Sequence, residues 1–152
     1  MNSRLCIALS LAFHAACGGP QPAGYAPGLG EIMALQQVRH TKLWLAGAAA
    51  NWELAAYETD ELEEGFADAM RFHARHKSSP QPLTQAIPTY MDPPLADLRR
   101  AIEAKDQGRF EKAFDTFTLG CNGCHAATQF AFNVVVRPQQ NPFPNQVFAL
   151  PK

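Results

Sequence analysis

The sequence predicts an all-α fold, an antiparallel four-helix bundle, on three observations. Apolar residues recur at three- and four-residue steps in four separate stretches. Most of these stretches are joined by short connections, which favours up-down-up-down packing. The one run with strand-like content, near the C-terminus, has no partner with which to form a sheet. A chain of 152 residues, less a leader, makes one domain with a core that needs no disulfide staples.

The first helix is expected from Leu29 to about Ala46, with Leu29, Met33, Gln36, His40 and Leu43 in register and Gly47 as its stop. The second starts near Asn51, a good N-cap, and runs to about His76, with Ala55, Leu62, Phe66, Ala69 and His73 on one side. Its other side carries Glu53, Glu58, Asp60, Glu61, Glu63, Glu64 and Asp68, which reads as a solvated face. Residues 77–94 hold five prolines and read as a loop. A shorter third helix is expected from Pro94, at its first turn, to Lys105, with Leu95, Leu98 and Ile102 inward and Gly108 breaking it. The fourth, Arg109 to about Thr128, stacks Phe110, Phe114, Phe117, Cys121 and Cys124 on one stripe. The remainder is expected to be an extended tail laid over that end of the bundle, burying Phe130 and Phe132.

Within the fourth helix stands CNGCH, residues 121–125. Two cysteines three residues apart lie on neighbouring turns of one helix face, so each can add its thiol to one vinyl group of a haem, and the histidine that follows is delivered to the iron as an axial ligand. The motif therefore predicts one covalently attached haem c, with Cys121, Cys124 and His125 as its binding residues and His125 as an iron ligand. A thioredoxin-like CxxC needs a strand before its helix, and a structural zinc site needs a second ligand pair. The other two cysteines, Cys6 and Cys17, supply neither. Arg137 stands where it could reach a haem propionate or remain exposed beside Pro138.

Residues 1–17 read as an export signal, with Arg4 before an apolar run too short to span a bilayer. Residues 18–28 form a Gly/Pro tether, which leaves 29–152 as the haem-binding bundle and tail. The run HAAC, ending at Cys17, resembles a bacterial lipoprotein signal, although His14 stands where leucine is usual; the alternative is ordinary signal-peptidase cleavage nearby. A periplasmic address follows, with a lipid tether if Cys17 is acylated. The four cysteines are thereby accounted for. A net charge of −1 points to no nucleic acid.

Four helices with CxxCH near the end of the last resemble cytochrome c′ and the other class II c-type cytochromes over roughly residues 29–128. Class I cytochromes c place the motif near the N-terminus and take a methionine far downstream, whereas the last methionine here is Met91. The class II resemblance implies that a sixth ligand, where there is one, comes from the first helix, which selects Met33. Met70, His73 and Met91 also fall at helix ends that face the motif, and His40 lies two turns, about 10 Å, beyond Met33. The resemblance also implies a homodimer in some relatives, although Arg39, Thr41 and Lys42 give the outer face of the first helix no apolar stripe.

Two functions are then expected. With His125 and Met33 on the iron, the chain carries single electrons between periplasmic redox partners. With the sixth position empty, as in cytochrome c′, it binds small gases such as nitric oxide. No enzyme activity is expected: the residues three before His40, His73, His76 and His125 are not glutamate, so the pairs of a di-iron site are missing, and no nucleophile stands at recognisable spacing from a base.

Overall fold

The computed structural model describes residues 24–150; the signal expected at 1–17, the lipidation of Cys17 and most of the 18–28 tether lie outside the described residues. Four helices follow one another: α1 (Leu29–Ala48), α2 (Trp52–Phe72), α3 (Leu83–Glu103) and α4 (Gln107–Ala127). Among the described residues there is no strand, and no helix is long and apolar enough to cross a membrane.

The links α1–α2 and α3–α4 share one design. Ala50 and Lys105 take left-handed φ values of 54° and 51°, and the next residue's N–H returns to a carbonyl five back, Asn51 to Ala46 at 2.9 Å and Asp106 to Ala101 at 3.1 Å. That closes the outgoing helix in a Schellman turn. The same residue caps the incoming helix, since the side chain of Asn51 accepts from Leu54 N–H and that of Asp106 from Arg109 N–H. Each helix therefore reverses within three residues, and its neighbour must run antiparallel.

The expected breakers do not break. Gly47 lies inside α1, where a Cβ would sit 2.0 Å from the Phe110 ring; it is a point of close helix approach. Gly108 lies in the first turn of α4. At the end of α2 the helix stops at Phe72 rather than His76.

The larger correction concerns residues 77–94, which are not a loop throughout. A link of residues 73–82 leads into α3, and that helix contains Pro88, Pro93 and Pro94. The apolar row Leu83, Ile87, Met91, Leu95, Leu98 and Ile102 runs through them and is buried. Each proline removes one N–H from the helix ladder and frees the carbonyl four residues back. Thr84 and Thr89, freed by Pro88 and Pro93, are exposed and can turn to water. Tyr90, freed by Pro94, presses its carbonyl oxygen against Gly120 of α4, where a Cβ would lie only 2.6 Å away. Gly120 thus gives the Tyr90 carbonyl room to approach α4 where any side chain would collide with it.

The core is centred on α4, where Phe110, Phe114 and Phe117 are fully buried, each stabilising the fold by roughly 1.5–3 kcal/mol. Trp44 of α1 meets Phe110 and Phe114 at ring distances of 6.1 and 5.1 Å, and Phe66 of α2 meets Phe117 at 6.5 Å. Polar ties hold the neighbours in register: Arg39 to Glu61 between α1 and α2, and Arg99 to Asp60 and Glu63 between α2 and α3. The acidic face is therefore partly engaged, and one member departs from it altogether. Glu58 is buried, and desolvation pushes its carboxyl up while nearby Lys42 opposes the shift.

After α4 the chain turns back along the bundle. Arg137 forks onto Asp115 and stacks on Trp44 at 4.2 Å; Phe148 is buried and its carbonyl accepts from the Asn51 side chain at 3.0 Å. The aromatic that anchors the tail is Phe148, at the α1–α2 turn. Phe132 is 82% exposed and Phe130 half-buried, contrary to expectation.

Candidate functional site

The core stripe of α4 continues past Phe117 to Cys121 and Cys124, which pack beside the buried cluster. The two sulfurs form no disulfide with each other, and burial pushes both thiols up, Cys121 to about 12. At neutral pH they stay protonated, which disfavours thiolate-driven disulfide exchange. His125 follows on the same helix end. Its Nδ1 lies 2.6 Å from the carbonyl oxygen of Asn133; a carbonyl only accepts, so Nδ1 donates, and in the neutral ring Nε2 keeps its lone pair.

These three residues line a cavity of about 490 Å³, well inside the range of about 300–1,000 Å³ usual for cofactor sites. Met33, Gln36 and His40 face it from α1, Leu62 and Phe66 from α2, Ile87 and Met91 from α3, and Val135 and Pro138 from the returning tail. No protein-family model, no curated protein and no solved structure matches this chain. The chemistry of the site rests on its own residues.

Those residues fit a covalently held haem. Two thiols and a histidine with a free Nε2 share one wall, and the opposite walls are largely apolar. Among the described residues no group of three or more His, Cys, Asp or Glu side chains could hold a bare metal ion.

Of the sequence candidates for a second axial ligand, Met33, His40 and Met91 reach the cavity wall. Met70 packs against the core away from it, and His73, at the end of α2, has its Nε2 2.8 Å from the carbonyl of Pro27. The register of α1 against α4 separates the three that remain. His40 bonds Thr118 across the interface, so in an antiparallel pair the residue facing His125, seven later on α4, is seven earlier on α1: Met33. Met91 is held from the side, 1% exposed, its sulfur directed at Gly120.

Gln36 and His40, two polar groups on an apolar stripe, are both satisfied. The Gln36 amide donates to the Leu62 carbonyl at 2.7 Å. Thr118 spends its hydroxyl proton on the Phe114 carbonyl at 2.9 Å, so His40 Nε2–H donates to Thr118 Oγ1 at 2.9 Å and Nδ1 carries no proton. Burial lowers the His40 pKa to about 4 from 6.5. As pH falls below 6.5 the unfolded chain takes up this proton before the folded one does, so stability is lost between pH 6.5 and 4, by roughly 3 kcal/mol. Urea unfolding at pH 7, 5.5 and 4.5 should show that decline, and His40→Phe should make it shallower; equal slopes would contradict the assignment.

Arg137, paired with Asp115 and stacked on Trp44, is committed to holding the tail. Sequence reasoning missed Asn122, which lies between the cysteines and bonds the tail backbone on both sides of Val135. Its only signal was an amide side chain, able to donate and accept at once, at a position the motif leaves open.

Proposed function

We propose that the chain is a mono-haem c-type cytochrome, similar in architecture to the class II type, that carries single electrons between redox partner proteins. The observation that supports it is the sharing of one cavity by the two thiols, His125 with its Nε2 unprotonated, and Met33 across the helix interface. Cys121 and Cys124 would hold the porphyrin by thioethers, and His125 and Met33 would bind its iron. When bound, the haem iron supplies a one-electron couple. The helices supply stiffness: Met33 and His125 sit on elements fixed by the aromatic stack of α1 on α4, so electron transfer requires little movement of either ligand. Residues 1–28 support an address on the outer side of the bacterial inner membrane, with lipid on Cys17 as tether.

The test is a redox titration of the holoprotein, matured with a haem-attachment system, followed by exposure of its reduced form to carbon monoxide. A reversible one-electron transition and a reduced spectrum unchanged by carbon monoxide are expected. Rapid binding at neutral pH would replace electron transfer with gas binding as the function.

A further inference from the structure

The segment after α4 is folded back onto the motif by its own backbone. Gln129, at φ 68°, ends α4; Phe130 N–H then returns to the His125 carbonyl at 2.7 Å, and Asn133 N–H to that of Phe130 at 2.8 Å. These turns deliver the Asn133 carbonyl to His125 Nδ1. Two residues on, Val135 is gripped by Asn122, whose Nδ2 donates to the Val135 carbonyl and whose Oδ1 accepts the Val135 N–H, each at 2.8 Å. A side-chain amide thereby reproduces the two bonds that a neighbouring strand would make.

We propose that Asn122 is a positioning residue for His125: by fixing Val135 it holds the Asn133 carbonyl on Nδ1, and so sets the electron donation of the axial imidazole and the reduction potential of the centre. The inference rests on the haem reading above and extends it. The physical link is general: a ligating histidine whose other ring nitrogen donates a proton is oriented and made more basic by the acceptor, and a more basic ligand favours the more highly charged iron. The clamp is strong for its size because both of its bonds converge on one residue, and the spacing leaves only Val134 between clamp and carbonyl. It also closes the rim of the cavity, since 133–136 form part of the wall.

The experiment uses the full-length holoprotein with Asn122→Ala and Asn122→Gln. Asn122→Ala should raise the reduction potential by about 59 mV, the equivalent of a tenfold shift in a one-electron equilibrium, and should speed amide exchange at Val135 and exchange of the His125 Nδ1 proton. Asn122→Gln keeps both donor and acceptor one methylene out of place and adds no charge, so it should fall between wild type and Asn122→Ala in all three readouts; if Asn122→Ala fails to fold, this variant carries the test. An unchanged potential with faster Val135 exchange would show the clamp to be structural only and overturn the proposal while the haem reading stands. A wild-type chain without covalent haem would remove both, and is recognised before any variant is made.

Discussion

Replacing Cys121 and Cys124 together by alanine is expected to abolish covalent haem retention. After expression beside a haem-attachment system, the wild-type chain should keep its pigment on a denaturing gel and show the added mass of one haem; the double variant should show neither. Each single variant keeps one thioether and should retain reduced, partial staining. The chain itself should still fold. Both side chains are half-buried on a helix whose stability comes mainly from Phe110, Phe114 and Phe117 further up, and losing one sulfur from such a site costs on the order of 1 kcal/mol. Helical content by circular dichroism should therefore be preserved, which separates loss of attachment from loss of fold. A wild-type chain with both thiols free, or a double variant still bound to haem after denaturation, would contradict the proposed chemistry.

How far the sequence predicts this molecule depends on which physical signal each part uses. The inward faces of α1, α2 and α4 were legible because burial imposes a 3.6-residue period, and Asn51 announced a helix start because a side-chain oxygen there satisfies a free N–H. The start of α3 was not, although Leu83, Ile87 and Met91 continue the period: the prolines there carry an opposing signal, and the room for the Tyr90 carbonyl that Pro94 frees comes from Gly120, thirty residues away on another helix. Gly47 misled for a related reason. A glycine in a helix reads as a stop unless one knows that an aromatic ring from another helix occupies the space of its side chain. The tail was least legible of all. Its course is set by Asn122 and Asn51 bonding the tail backbone and by Arg137 pairing with Asp115, and such single polar contacts leave no periodicity to read. Of the site, Cys121, Cys124 and His125 were evident as a motif, while the convergence of Met33, His40 and Met91 on the same cavity required the packing of α1 and α3 on α4.

Met33→Ala should turn a closed centre into an open one. The reduced wild-type protein is expected to ignore carbon monoxide, because a thioether on the iron must leave before a gas can bind; the variant lacks that group and should bind at once, with a changed reduced spectrum. Its reduction potential should also fall, since a methionine ligand favours the reduced state. The side chain is half-buried, so truncation costs stability as well, about 2 kcal/mol or somewhat less, which leaves a folded protein in which the spectrum can be read. The competing ligand is His40, neutral at pH 7 and with an unprotonated Nδ1 on a cavity-lining residue. The two make opposite demands: if Met33 is the ligand, His40→Phe remains closed to carbon monoxide and Met33→Ala opens; if His40 is, the pattern reverses. The antiparallel register of α1 on α4 favours the first. His40 is tied to Thr118 and packs on Phe114 at 4.6 Å, one to two turns short of Cys121, and reaching an iron held by His125 would require breaking that bond and tilting α1 against the aromatic stack that fixes it.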